Sequence, residues 1–243
     1  MKIPNSFKVV DIHQHPGGIW SDPISGFVYE RGARTTTPLA SSTHRDLHQR
    51  LADMIAISGT PARILDMGCG FGKSTRPLWE TFSETEIHGI DISASCLEVA
   101  AMDADNAQAR NVLYRQMAAA STDYLDHRFD LVTSTMLIHE MPPNEVEAVL
   151  TEAHRILEPG GRMIHLDFLP SCDFFDRFIH FGHAFRNNEP YMEALAGMDL
   201  PAIMRETGFT DIEIEPFEEA DGVLSPEYIN WRFPWVTISA RRP

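Results

Sequence analysis

The stretch ILDMGCGFGKS, Ile64 to Ser74, sets an aspartate ahead of three glycines in alternate positions at the end of an apolar run. Glycine lets backbone approach a bound molecule closely, so the loop is a candidate ligand cradle. Two familiar nucleotide loops do not fit. A phosphate loop, Gly-x-x-x-x-Gly-Lys-Ser, needs one residue more than the 69 to 71 that separate Gly68 from Gly72. A dinucleotide loop, Gly-x-Gly-x-x-Gly, would put its third glycine at position 73, which is Lys. What stands is Asp66-x-Gly68-x-Gly70-x-Gly72. An acidic residue there is a poor host for phosphate and a good one for a ligand carrying an ammonium group and a sulfonium. A second apolar run ends in Ile90-Asp91, 25 residues after Asp66, where a carboxylate can take both hydroxyls of an unphosphorylated ribose.

Other residues offer acid, base or metal chemistry. In VVDIHQHP, Val9 to Pro16, two imidazoles stand at i and i+2, and on a strand they would point the same way and could share a divalent metal. No barrel of strand-helix units follows to complete their ligand set, so His13 and His15 are expected in a flexible arm ahead of the core, near the substrate with Tyr29 and Arg31. His139 follows the strand-like run FDLVTST, in the crevice where open α/β sheets bind ligands, either as a base or orienting group or as packing for its loop. Asp167, at the end of GRMIHLD, is a substrate contact or a buried hydrogen-bonded carboxylate. Asp173, Asp176, His180 and His183 recur at helical spacing beside a stripe of Phe174, Phe178, Phe181 and Phe185. We expect the polar face to be solvated and to hold no metal, with Phe174 and Phe178 lining the substrate pocket.

Composition narrows the partners. The chain has 243 residues, 43% of them hydrophobic, enough for one domain with an elaborated cap. Its 20 basic against 35 acidic residues give a formal charge of -15, which disfavours nucleic acid and anionic membrane surfaces. Cys69, Cys96 and Cys172 are too far apart for a Cys-x-x-Cys site or a disulfide framework. No apolar run approaches a membrane span and the start, MKIPNSFKVV, lacks a signal-peptide core, so a cytoplasmic protein is expected.

The elements that must position these residues alternate. RILDM, EIHGID, NVLYRQM, FDLVTST and GRMIHLDFL read as strands separated by helical stretches, the pattern of a parallel sheet covered on both faces. The clearest helix places Val146, Val149, Leu150, Ala153, Ile156 and Leu157 on one stripe, with Asn144 as expected N-cap and Pro159-Gly160-Gly161 as stop. DIEIEPF and FPWVTISA supply two last strands. Residues 1 to about 41, rich in Gly, Pro, Ser and Thr, read as irregular, with a helix from about Thr43.

Over about residues 60 to 169 the chain resembles class I S-adenosylmethionine (SAM) dependent methyltransferases. LDMGCGFG is similar to the family's first motif, HGIDIS to its second, FDLVTSTMLIHEMP to its fourth and EAHRILEPGGRMIHLD to the helix and fifth strand. The last two segments look most like small-molecule methylases of the ubiquinone and menaquinone type. The resemblance implies a three-layer Rossmann-like sheet, mostly parallel with a last antiparallel strand. It divides into an N-terminal arm and first helix (1–59), a SAM-binding core (60–169), a substrate cap (170–200) and the C-terminal part of the core (201–243). It implies SAM contacts from Asp66, Gly68, Gly70, Gly72, Asp91, Ile92, Met117, Ala118 and Ser134. Gln116-Met117-Ala118 departs from the family, where many members carry an acidic residue for the adenine amino group, and Met117 would pack on the ring instead. The implied activity is methyl transfer to a small-molecule acceptor, with His139 and Asp167 as catalytic candidates and a homodimer as one assembly open to it. Aminopropyl transfer, intramolecular cyclisation or non-catalytic SAM binding would use the same loop.

Overall fold

Continuous apolar runs demand cover on both sides, and the sheet supplies it. The computed structural model describes residues 4–8, 10–20, 22–35, 40–170, 173–228 and 232–243. Its elements in chain order are helix α1 (Asn5–Lys8), a one-turn 3-10 helix at Ile12–Gln14, α2 (Ser25–Thr35), α3 (Ala40–Ile57), strand β1 (Arg63–Met67), α4 (Thr75–Thr81), β2 (Glu86–Asp91), α5 (Ala94–Asn106), β3 (Val112–Gln116) and β4 (Phe129–Thr135). A second 3-10 turn at Ile138–Glu140 precedes α6 (Pro143–Ile156), β5 (Leu157–Phe168), α7 (Phe174–Asn187), α8 (Met192–Ala196), α9 (Leu200–Thr207), β6 (Thr210–Pro216) and β7 (Trp235–Arg241).

The strands form one sheet in the order β3-β2-β1-β4-β5-β7-β6, parallel except for β7, which runs antiparallel to both neighbours. Asp66 stands opposite Gly89 of β2 on one side and Thr133 of β4 on the other. The strand order reverses between these two neighbours, so the loops after β1, β2 and β4 open into one crevice at the sheet's carboxyl edge. One face buries Val146, Val149, Leu150 and Ala153 of α6. The other buries Leu47, Leu51 and Ile55 of α3 with Leu78 and Trp79 of α4.

Helix α6 has the expected stripe from Val146 to Ile156, but Leu157 already opens β5, which carries Pro159-Gly160-Gly161 within it, and the N-cap is Pro142, with Pro143 opening the helix. A proline's fixed φ and missing N–H suit the first helical position, which puts Asn144 inside the helix instead of at its cap. Among the described residues, no helix is long and apolar enough to cross a membrane.

The N-terminal segment corrects the irregular reading. It folds into short helices that bury Phe7, Ile12 and Ile19 and lies against the core. Helix α2 docks on α5 without an apolar stripe, which is why no period showed. Ser25 Oγ donates to the Ile19 carbonyl (2.5 Å) and lies 2.6 Å from Ser95 Oγ, and Ser93 Oγ donates to the same carbonyl (2.7 Å). A carbon added at Gly26 would stand 2.2 Å from the Ser95 carbonyl oxygen, so the two helices meet backbone to backbone. We therefore predict that Gly26→Val lifts α2 from α5 at a cost of about 1–3 kcal/mol. Limited proteolysis should then cut the arm early while the core fragment survives, and an arm as resistant as in the unaltered protein would refute this docking.

Candidate functional site

The loop between β1 and α4 turns on left-handed glycines. Gly70 (φ 52°) donates its N–H to Asp91 Oδ2 at 2.9 Å, and the space where its side chain would be is open for at least 4 Å. Gly68 (φ 66°) passes so close to Leu137 that an added carbon would lie 2.4 Å from a methyl. Asp91 also accepts the Ser93 N–H at 2.7 Å, which places its carboxylate at the floor of the crevice. Burial pushes its pKa up to about 6, against the pull of those backbone N–H groups. Asp66 behaves differently from expectation. Its Oδ2 accepts the hydroxyls of Ser74 and Thr75, both at 2.7 Å, and so holds the start of α4, while Oδ1 is buried without a hydrogen-bond partner among the described residues. Burial raises this carboxyl also to about 6.

A cavity of about 430 Å³ opens above the loop. Gly68, Gly70, Asp91, Ile92, Met117 and Ala118 wall one end, and Tyr29, His139 and Glu140 wall the other. The remaining expected contacts lie off the wall. Asp66 and Gly72 support the loop from behind, with Gly72 turned so that an added carbon would meet Ala100 at 2.9 Å. Ser134 is buried against His165 Nδ1 at 2.5 Å, and its neighbour Thr135 faces the cavity, because successive strand residues point to opposite sides. Phe174 and Phe178 are 85% and 66% exposed and stand off the wall of this cavity. Helix α7 turns its other face inward: His180 packs edge-on against Phe168, and His183 lies 3.6 Å from Glu189. Of the polar stripe expected to be solvated, His180 is buried and His183 half-buried, while Asp173 stays exposed.

His139 sits on the 3-10 turn after β4. Its Nδ1 is 2.7 Å from Asp167 Oδ1, and Asp167 in turn takes the N–H groups of Ile138 (3.0 Å) and Phe168 (2.9 Å), so the carboxylate is pinned and orients the ring. Asp167 stands behind His139, not on the wall. Burial alone would lower the His139 pKa, but the adjacent Asp167 outweighs it and raises the value to about 9.

The arm brings His13 and Tyr29 to the cavity wall. His13 lies in a turn, not a strand, and His15 turns toward Asp22 at 3.7 Å, so the two imidazoles do not converge. His13 Nε2 is 2.8 Å from Glu140 Oε1, its Nδ1 is 3.2 Å from Glu189 Oε1, and Tyr29 stacks on the ring at 5.0 Å. Against burial, these carboxylates lift its pKa to about 10. Glu189 carried no sequence signal, because a lone glutamate after a helix reads as surface. Among the described residues, no cluster of three His, Cys, Asp or Glu is arranged to hold a metal ion.

Comparison with known proteins agrees with the loop. A family described as methyltransferase domain matches residues 64–161. The protein named probable methyltransferase ltbC, from Aspergillus luteorubrus, is 30% identical over 195 residues, covering 74% of this chain and 68% of that one. Demethylmenaquinone methyltransferase from Geobacillus sp. (strain WCH70) is 29% identical over 174 residues, 64% of this chain and 74% of that one. Among solved structures, phosphoethanolamine N-methyltransferase 2 of Haemonchus contortus in complex with S-adenosyl-L-methionine shares the fold. Its TM-score is 0.65 at 19% identity, over 99% of this chain and 60% of that one. The cofactor is SAM, and the open space over Gly70 beside the Asp91 carboxylate fits it.

If Asp91 takes ribose hydroxyls, Asp91→Ala should weaken S-adenosylhomocysteine binding by about 1.5–3 kcal/mol. Because the carboxylate must be ionised, affinity should also fall as pH drops below about 6. Calorimetry across that range decides, and a flat profile would remove Asp91 from the cofactor contacts.

Proposed function

Because the chain belongs to the class I SAM-dependent methyltransferases, we propose that it methylates a small molecule held in the same cavity, with His139 taking the proton from the methylated atom. The observation that carries this reading is the single cavity that joins the Gly70 and Asp91 floor to His139. Its 430 Å³ suits a compact ligand, and the arm that roofs it leaves little room for a polymer. When bound, SAM would be held by the Gly70 and Asp91 floor and would supply an electrophilic methyl group, its sulfonium being the leaving group.

The chain's part is to hold, orient and dry the reactants. Tyr29 and the rings of Phe7 and Trp20, which meet edge to face at 5.3 Å, close the arm side of the cavity. Asp167 holds the Nδ1 proton of His139, which leaves Nε2 to receive the acceptor's proton when the ring is neutral. At rest most of the His139 population is imidazolium, so the reactive form grows with pH. An acidic surface of net charge -15 supports a non-nucleic-acid acceptor, and free buried Cys69 and Cys96 suit a reducing cytoplasm.

Incubation with SAM and a metabolite library, read by mass spectrometry, tests the proposal: S-adenosylhomocysteine should appear together with a methylated compound. Cofactor consumed without S-adenosylhomocysteine would favour aminopropyl transfer or cyclisation. For the base, His139→Gln should leave S-adenosylhomocysteine affinity nearly unchanged and lower turnover by about 10² or more. In the unaltered enzyme turnover should climb with pH up to about 9 and level off. A pH-independent rate, or a cofactor affinity lost with the imidazole, would end His139's role as base.

A further inference from the structure

We propose that His13 sets the charge selectivity of the acceptor end of the cavity: placed between Glu140 and Glu189, it makes that end a site for an uncharged acceptor, and its removal would leave a site for a cation. The inference rests on the methyl-transfer reading only for what it calls the acceptor.

Glu189 is 3% exposed and Glu140 lies on the same wall, and two carboxylates in such a place require a counter-charge. His139 supplies little of it, because Asp167 holds that ring at 2.7 Å and its other nitrogen reaches Glu140 only at 4.0 Å. Neither does His183, whose pKa burial lowers. His13 does, reaching across 127 residues of sequence to give one ring nitrogen to each glutamate. Its backbone pays for the position. His13 (φ 57°) and Gln14 (φ 58°) both sit in the left-handed region, which costs non-glycine residues about 1 kcal/mol or more. The turn is anchored at its flanks: Gly17 donates its N–H to Asp11 Oδ1 (2.8 Å), Asn188 Nδ2 to the Asp11 carbonyl (2.9 Å) and Gln14 Nε2 to the Arg186 carbonyl (3.2 Å).

Take the imidazole away and two carboxylates face a wall that includes the rings of Phe168, Phe233 and Trp235, the surroundings in which ammonium groups bind. With it in place, an ammonium would lose its water beside an imidazolium that repels it. A neutral hydroxyl suffers no such loss. Glu189 Oε2, buried without a hydrogen-bond partner among the described residues, can accept its hydrogen.

Phenethyl alcohol and phenethylamine, nearly isosteric and differing in charge, are the probes, titrated by calorimetry near neutral pH into protein saturated with S-adenosylhomocysteine. The unaltered protein should bind the alcohol at least as tightly as the amine. His13→Ala should shift the ratio of dissociation constants toward the amine by about tenfold or more. The triple variant His13→Ala, Glu140→Gln, Glu189→Gln should bring the ratio back, a rescue that mere loss of arm packing cannot produce. A preference of the unaltered protein for the amine, a ratio unmoved by His13→Ala, or failure of the triple variant to restore it overturns the proposal. Failure of the unaltered protein to bind S-adenosylhomocysteine would count against the cofactor reading instead.

Discussion

Two carboxylates at the ends of adjacent parallel strands hold the rest of the molecule's functional edge in place. Asp66 is fully buried and Asp91 half-buried at the cavity floor, and carboxylates so placed must be given hydrogens. Asp66 finds them in Ser74 and Thr75, which fixes where α4 begins. Asp91 finds them in the N–H groups of Gly70 and Ser93, which draws the glycine loop onto β2 and fixes where α5 begins. The glycines are the conformational condition for this arrangement, since only left-handed backbone lets the loop N–H point at Asp91. Loop shape and ligand floor are one hydrogen-bonded unit.

The arm is built onto that unit. Ser93 caps α5 through the Cys96 N–H and also donates to the Ile19 carbonyl, so the residue that Asp91 positions is the one that receives the arm. From Ile19 the chain runs back to the His13 turn and forward to α2, whose Gly26 lies against the Ser95 backbone. His13 then ties Glu140, beside His139, to Glu189, beyond the C-cap of α7. Cofactor floor, arm and acceptor wall therefore form a closed series of short polar contacts, and a disturbance at the arm's docking surface reaches the charge balance at the acceptor end.

What could be read from the chain follows from how local each determinant is. The glycine loop and Asp91 were legible because backbone geometry restricts residue type over a few positions. The strands were legible as short apolar runs, and the α6 stripe from its period. The arm was not, because serines and a glycine make its contact with α5 and leave no apolar rhythm. The side of β4 that faces the cavity was misplaced by one residue, from Thr135 to Ser134, which is the error a period of two permits. Helix α7 was read with phenylalanines inward, as hydrophobicity alone would have it. Its actual rotation buries His180 against Phe168 and sets His183 3.6 Å from Glu189, contacts that no single-stretch pattern records.

The four shifted groups impose opposing demands on pH. A histidine whose folded pKa is raised adds stability in full below its unfolded value near 6.5 and loses it as pH rises through the folded one, about 9 for His139 and about 10 for His13. Asp66 and Asp91, raised to about 6, bind protons more readily folded than unfolded, so they too favour the fold on the acidic side. Stability from these groups thus falls with rising pH. Function asks the reverse, because Asp91 must be ionised to hold hydroxyls and His139 must be neutral to take a proton. The two requirements overlap only above about 6 and below the point near 10 where His13 ceases to be a cation and the arm loses its hold on Glu140 and Glu189. The acidic end of the cavity is therefore a compromise: the carboxylate that orients His139 also keeps most of it protonated, and the pair that anchors His13 keeps the roof on while the base waits.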